Sequence, residues 1–340
     1  MNKTILERSE IESIQELLGE LTSRYDSAED PRFLRSADVF AHELPRRLRG
    51  VLRDFRLTEP MGALCVISGY PINEEKIGQT PRHWKEKHPS TNSVAEEMLL
   101  VLFGALLGDP IGWATQQDGR IVHDIFPIRG HETEQLGSGG EQGLFWHTED
   151  AFHPFRGDYL GMMCLKNPDS VATTFASMEK IRLTPEQIQI LSEPHYTIRP
   201  DESHRVKYRG ETSELDAQLE VSYRKIEETV SRPRKVPVLF GATSSPYIRL
   251  DPYLTDPVQD NEEAQQALDE LFRQVDAALT DLVLQPGDFC FIDNYKAVHG
   301  RKPFKARHDG RDRWLKRLNI TRDLRKSREA RLASDSRVIH

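Results

Sequence analysis

Cysteine is scarce in this 340-residue chain: Cys65, Cys164 and Cys290 are the whole complement, and no two form a C-x-x-C pair. A disulfide framework and a structural zinc cluster both need more thiols at closer spacing, so neither is expected, and the reducing cytoplasm is the expected compartment. Long hydrophobic runs are missing as well. The most apolar stretch, 98–107, falls far short of the ~20 residues of a membrane span. The opening Met1-Asn2-Lys3-Thr4 leads into a polar helix without the apolar core of a secretory signal. Nor is there an excess of basic charge: 46 Lys and Arg face 54 Asp and Glu, a net of −8. That balance argues against a nucleic-acid binder and suits a small cationic ligand. With 37% apolar and 29% charged residues, the chain reads as a globular enzyme that needs neither nucleic acid nor membrane.

What is present divides in two. Residues 1–110 read as mainly helical. Ser9-x-x-Glu12 has the form of a capping box, and Ile11, Ile14, Leu17, Leu18 and Leu21 follow on one helical face. A second amphipathic stretch, 31–55, is interrupted by Pro45, residues 63–67 have strand character, and Ser93-x-x-Glu96 opens a helix apolar nearly all round that Gly108 closes. From about 112 onward short β-runs alternate with Gly, Pro and Asp. Strands are expected near 120–125, 144–149, 159–165, 236–240, 248–251, 288–292 and 315–321, with helices after Thr184-Pro185-Glu186-Gln187 and over 261–284. Many short strands point to a sandwich or barrel, not a doubly wound sheet. The polar segment 201–235 reads either as a solvated insertion or as a lid over a site.

Three pieces carry chemistry. In Trp146-His147-Thr148-Glu149-Asp150, residues i and i+2 of a strand share a face, so His147 and Glu149 can converge on one ion. Alone the pair is weak, because a salt-bridged surface pair is the default. A turn at Gln285-Pro286-Gly287-Asp288 and an apolar strand lead to Asp293-Asn294 and then His299-Gly300-Arg301. His299 would complete two histidines and one carboxylate, the donor set suited to non-haem Fe(II). In the basic run 309–317, Arg313, Leu315 and Arg317 share one face of a strand, and inward arginines there require anionic partners; a solvated edge strand is the alternative.

The spacing of His147-x-Glu149, His299 and Arg313 resembles Fe(II)/2-oxoglutarate-dependent oxygenases, and more narrowly the clavaminate synthase-like group, whose carboxylate ligand is Glu. Blocks at 41–47, 112–119, 147–152 and 309–323 are similar to bacterial β-hydroxylases of free guanidino amino acids, including those acting on arginine, capreomycidine-type substrates and enduracididine. The resemblance implies a double-stranded β-helix (jelly roll), mainly β with added helices, as a single oxygenase domain over 1–340. Residues 1–110 would then be helical support, 111–325 the core, and 201–235 the lid. It implies Fe(II), 2-oxoglutarate and O2, with His147, Glu149 and His299 as iron ligands and Arg313 and Thr173 at the distal carboxylate of 2-oxoglutarate. For the substrate it implies Gln116 at the α-amine, Arg317 at the α-carboxylate, the backbone near Gln135 and Gly137 at the same end, the second oxygen of Glu149 at the amine, and Asp251 at the guanidinium. The activity implied is C3 hydroxylation of L-arginine or a cyclic relative such as enduracididine, which in the group serves peptide natural-product assembly.

One position departs from the group. Arginine-hydroxylating members carry a second carboxylate two residues beyond Asp251, where this chain has Tyr253, so shape and stacking are expected to replace charge there. A lysine hydroxylase, a zinc hydrolase using the same ligands, and a non-catalytic amino-acid binder are the competing readings; the last two leave Arg313 or the intact ligand set unexplained. His123 and His153 read as hydrogen-bonded bystanders, Cys164 and Cys290 as core, and Trp113 and Trp146 as packing residues. Replacing His147 or Glu149 with Ala is expected to abolish iron-dependent succinate formation while circular dichroism stays native. Wild-type succinate from either variant would remove the ligand assignment.

Overall fold

A computed structural model describes residues 2–86, 92–206 and 217–340. Strand β1 (Asn2–Ile5) precedes three helices, α1 (Arg8–Arg24), α2 (Pro31–Ala41) and α3 (Arg46–Thr58). The capping box of α1 differs from the sequence expectation. Glu7 is the N-cap and its side chain accepts the Glu10 N–H, the role expected of Ser9, while Glu10 accepts the Glu7 N–H at 2.9 Å, the role expected of Glu12. Glu12 instead pairs with Arg8 across one helical turn. The second amphipathic stretch is interrupted as expected: α2 ends at Ala41, and Pro45 is the N-cap from which α3 starts. After β2 (Leu64–Ser68) and the short α4 (Glu74–Ile77), α5 (Val94–Ala105) is buried along almost its whole length.

Two sheets form the core. The larger runs β1-β2-β13-β6-β15-β3-β16, with β4 also on β15. Its later members are β3 (Asp109–Trp113), β4 (Val122–Ile125), β6 (Tyr159–Lys166), β13 (Phe289–Asp293), β15 (Trp314–Thr321) and β16 (Val338–Ile339). The smaller runs β12-β7-β14-β5, from β12 (Thr280–Leu282), β7 (Thr173–Ser177), β14 (Ala297–Arg301) and β5 (Leu144–His147). Strands of the larger sheet have apolar residues on both faces because both faces are covered. Met163, Leu165, Phe289, Phe291, Trp314 and Leu318 pack with the N-terminal helices. Leu160, Met162, Cys164, Cys290, Ile292 and Leu315 turn inward, where Phe175, Leu282 and Ala297 of the smaller sheet meet them. At about 1.5–3 kcal/mol for each buried large side chain, this inner layer is what keeps the two sheets facing each other. The outer face of the smaller sheet (Trp146, Ala176, Val298) is sealed by α6 (Pro185–Leu191) and α8 (Glu262–Ala278).

Several expected boundaries move. The 261–284 helix ends at Ala278, and Thr280–Leu282 becomes an edge strand on β7. Helical and strand periodicity both bury Leu282, so the sequence pattern could not separate them. The 236–240 run breaks into β9 (Lys235–Val236), which pairs with β8 (Tyr196–Thr197), and β10 (Leu239–Ala242). The strand expected at 248–251 lies at β11 (Ser245–Ile248), set by its hairpin with β10. The lid expected at 201–235 begins with a one-turn helix (Glu202–His204) and ends with α7 (Ala217–Ser231), which buries Ser222, Tyr223 and Ile226; its residues 207–216 lie outside the described part.

Gly300 sits between β5 and β7. A Cβ there would lie 2.5 Å from the Leu144 carbonyl oxygen and 2.8 Å from Thr174 Oγ1. Gly300→Ala is therefore expected to cost about 1–3 kcal/mol in a urea melt and to weaken metal binding through its neighbour His299. An unchanged midpoint and metal affinity would mean the sheet is looser here than its register indicates.

Candidate active site

His147 is the last residue of β5, and His299 lies directly opposite it in the register of β14. Glu149 sits just past the strand, not on it as expected, in a turn that Asp150 closes with φ +52. Its backbone is held from outside: Asn294 accepts the Glu149 N–H at 2.7 Å and donates to the Glu149 and Gly157 carbonyls at 3.1 and 2.9 Å. The result still joins the three side chains. Ligand atoms of His147, Glu149 and His299 all lie within 4.8 Å of one another, with Glu149 Oε2 3.7 Å from His147 Nε2 and 3.5 Å from His299 Nε2. His147 Nδ1–H donates to the Phe145 carbonyl at 2.8 Å, which turns Nε2 toward the site.

Charge is tightly arranged around this triad. Burial would raise the Glu149 carboxyl, but the Arg317 guanidinium and hydrogen bonds from both histidines hold it well below its usual range. Burial works to lower His147, yet its hydrogen bond to Glu149 and the Asp251 carboxylate raise it to about 9. Burial and the nearby His147 charge push His299 down to about 4. The metal-free site is thus one carboxylate, one imidazolium and one neutral imidazole.

Arg317 turns inward on β15 as the alternation required. Its Nη1 donates to Glu149 Oε1, and its Nη2 donates to Gln116 Oε1 at 3.1 Å and to His123 Nδ1 at 2.7 Å. His123 is therefore more than a bystander. It accepts from Arg317, donates to the Arg120 carbonyl at 2.9 Å, and is kept neutral by burial and by the Arg317 charge. Gln116 in turn donates to Ser203 Oγ at 2.6 Å.

Arg313 lines the cavity; its Nη2 donates to Thr173 Oγ1 at 3.2 Å and its Nε has no partner. Burial lowers its guanidinium to about 10. Arg301, also lining the cavity, donates to the Gly139 and Gln142 carbonyls at 2.7 and 2.9 Å and more weakly to those of Leu136 and Gly137. Burial and the Arg313 charge lower it to about 9. Neither arginine has an acidic partner among the described residues.

Asp251 lines the same cavity. Its Oδ1 accepts the Tyr253 and Leu254 N–H groups at 2.9 and 3.1 Å, and burial, reinforced by Asp201 and opposed by His147, pushes it up to about 6. Asp201 lines the same cavity, a second carboxylate that sequence reasoning missed because it lies 50 residues away in a polar insertion. Tyr253 departs from expectation. It is 55% exposed, its ring stacks on Phe145 at 6.1 Å, and it borders a narrow annex beside Asp201 and Asp251, not the cavity proper. The Asp251 turn that captures its N–H sends the ring outward. Gln135 and Gly137 line the cavity, but the Gln135 side chain is committed to its own loop, donating to Gly143 and accepting from Phe145 N–H at 2.9 and 3.0 Å.

A family model, taurine catabolism dioxygenase TauD, TfdA family, matches residues 89–319. The chain belongs to this family. It is 47% identical over 338 residues to an enduracididine beta-hydroxylase of Streptomyces hygroscopicus, covering 98% of each chain. It is 44% identical to an L-ornithine/L-arginine 3-hydroxylase of Catenulispora acidiphila over the full length of both. Crystal structures of the non-haem iron oxygenase OrfP superpose along the chain. The one with Fe, succinate and (3S)-hydroxy-L-Arg gives a TM-score of 0.94 at 45% identity with 100% coverage of both, and another holds Fe and alpha-ketoglutaric acid. The TauD/TfdA-family chain is thus a jelly-roll Fe(II)/2-oxoglutarate-dependent dioxygenase.

The residues fit those two groups. Two imidazoles and one carboxylate on a single side are the donor set for Fe(II) with open positions. Two buried guanidinium groups without acidic partners call for a dianionic cosubstrate. Asn294 leaves little signal in the sequence beyond its place after a buried strand, yet it fixes the Glu149 backbone. Trp113 and Trp146 are packing residues whose indole N–H groups each donate to a carboxylate, Asp150 and Asp276, at 2.6 Å.

Because His147 holds a proton that a metal must displace, metal uptake at pH 7 is expected to release about one proton. Apparent affinity should rise about tenfold per pH unit up to about pH 9 and then level off. Titration calorimetry in buffers of different ionisation enthalpy checks this; pH-independent binding would contradict it.

Proposed function

We propose that this dioxygenase hydroxylates C3 of a free guanidino L-amino acid, L-arginine or a cyclic relative such as enduracididine. The observation that carries the reading is that two carboxylates, Asp201 and Asp251, line the same cavity as Arg313 and the His147-Glu149-His299 triad. The enduracididine and arginine hydroxylases that the chain resembles, and OrfP with its hydroxyarginine, support it.

Iron with 2-oxoglutarate supplies the O2-dependent oxidation; the chain supplies position. Arg313 and Thr173 take the distal carboxylate of 2-oxoglutarate. Arg317 takes the α-carboxylate of the amino acid, exchanging part of its bond to Glu149 for the ligand. Gln116 and Glu149 Oε1 receive the α-amine, the Gln135–Gly137 backbone closes that end, and Asp251 and Asp201 hold the guanidinium. With both ends fixed, one C–H is left facing the metal. Apolar Leu160, Met162 and Leu315 line the same space and exclude water. The substrate is a small cationic molecule, and the buried, unpaired cysteines suit a cytoplasmic setting.

The test is succinate release with Fe(II), 2-oxoglutarate and O2, with product mass recorded for arginine, enduracididine, capreomycidine, homoarginine and lysine. A hydroxylated guanidino amino acid stoichiometric with succinate is the expected result. Hydroxylation of lysine in preference to all of them would overturn the substrate reading while leaving the oxygenase intact. Asp201→Asn or Asp251→Asn is expected to raise KM for the guanidino substrate by about 10- to 100-fold, the worth of one charge-assisted hydrogen bond, with KM for 2-oxoglutarate unchanged. Equal KM values in variant and wild type would put the guanidinium elsewhere.

A further inference from the structure

His204 is completely buried, a costly place for an imidazole unless both nitrogens are satisfied. Both are. Its Nδ1 pairs with Thr115 Oγ1 at 2.7 Å, and its Nε2 pairs with Asp150 Oδ1 at 2.9 Å. The ring is seated edge-on between Trp113 and Phe152, with centroids 5.6 and 5.0 Å away. The other Asp150 oxygen accepts from the Trp113 indole at 2.6 Å and from Asn319 at 3.4 Å.

What His204 joins is informative. Its own turn, Glu202–His204, delivers Ser203 to Gln116 and follows directly on Asp201 at the cavity wall. Thr115 is the neighbour of Gln116. Asp150 is the neighbour of Glu149 and holds the left-handed conformation that ends the ligand turn. One imidazole therefore bolts the two substrate-facing residues of the inserted segment to the metal-ligand turn and to the Gln116 strand end. Beyond His204, the side-chain ties of this turn include Ser203 to Gln116 and the partly exposed pairs of Arg205 with Glu202 and Glu227; without the buried imidazole Asp201 would be freer to drift, and the two carboxylates would lose their spacing.

We infer that His204 is a positioning residue for the amino-acid site: it sets Asp201 and Ser203 against Asp251 and Gln116 without touching substrate. The inference rests on the guanidino-amino-acid reading above, so wild-type protein is measured first. Anaerobic protein loaded with Fe(II) and 2-oxoglutarate is titrated with L-arginine and with enduracididine by calorimetry. If wild type binds neither, the substrate reading fails before His204 is in question.

Where wild type binds, His204→Ala is expected to weaken amino-acid binding about tenfold or more, the scale of a lost buried hydrogen bond. Its affinity for 2-oxoglutarate should stay within about twofold of wild type. In aerobic turnover it should release more succinate than hydroxylated product. His204→Gln, which can keep a donor toward Asp150, should recover most of the affinity and coupling. Should His204→Ala fail to fold, Thr115→Val removes one of the two bonds and should show the same split. Amino-acid affinity equal to wild type, or a parallel loss for amino acid and 2-oxoglutarate, would overturn the inference, since the second is what general loosening of the fold produces.

Discussion

The structure turns on one buried carboxylate. Glu149 is 4% exposed, and a charge so placed must be matched on every side or it neutralises. Two histidines face one of its oxygens and Arg317 takes the other. That requirement explains features that would otherwise look arbitrary. β5 must stop at His147 so the chain can turn, Asp150 must accept a left-handed backbone, and Asn294 must clamp the turn from the far strand. β14 must also lie in register with β5 so that His299 faces His147.

From that centre the cavity is electrically polarised. Arg313 and Arg301 put cationic groups on its wall that no acid among the described residues answers, while Asp251 and Asp201 add anionic ones. A dianionic cosubstrate and a cationic amino acid are sorted between the arginines and the aspartates by charge alone, before any shape complementarity acts. Arg317 lines the same cavity, already paired, and can change partners without becoming unpaired. Such exchange costs less than opening a buried charge to nothing.

The parts of this arrangement legible in the sequence were those with strong period or spacing. Alternation in 313–317 correctly brought Arg313, Leu315 and Arg317 to one cavity: Leu315 and Arg317 turn inward on β15, whose two faces are both buried, and Arg313 joins them from just before the strand, ahead of a register irregularity at Trp314 and Leu315. The His147-x-Glu149 pairing was found even though Glu149 is off the strand, since a turn can bring i and i+2 together as well as a pleat can. Thr173 and His299 lie on the five-residue strands Thr-Thr-Phe-Ala-Ser and Ala-Val-His-Gly-Arg, too short and too mixed to show a clear period of two; the site and the facing sheet impose their conformation. Asp201, Asn294, His123 and His204 were hidden for a related reason. Each acts through partners 50 to 194 residues away in sequence, and a polar residue in a polar segment looks the same whether it is solvated or bolted into a core. Tyr253 shows the converse: its position in a motif was clear, but the hydrogen bond from its own N–H to Asp251 set where the ring would go.

The most direct test of this account is a crystal structure with a divalent metal, 2-oxoglutarate and L-arginine or enduracididine bound under anaerobic conditions. The account predicts metal on Nε2 of His147 and His299 and on one oxygen of Glu149. It predicts the distal carboxylate of 2-oxoglutarate on Arg313 and Thr173, and the guanidinium between Asp201 and Asp251. A guanidinium seated away from those two carboxylates, or an Arg313 left without its anion, would contradict it.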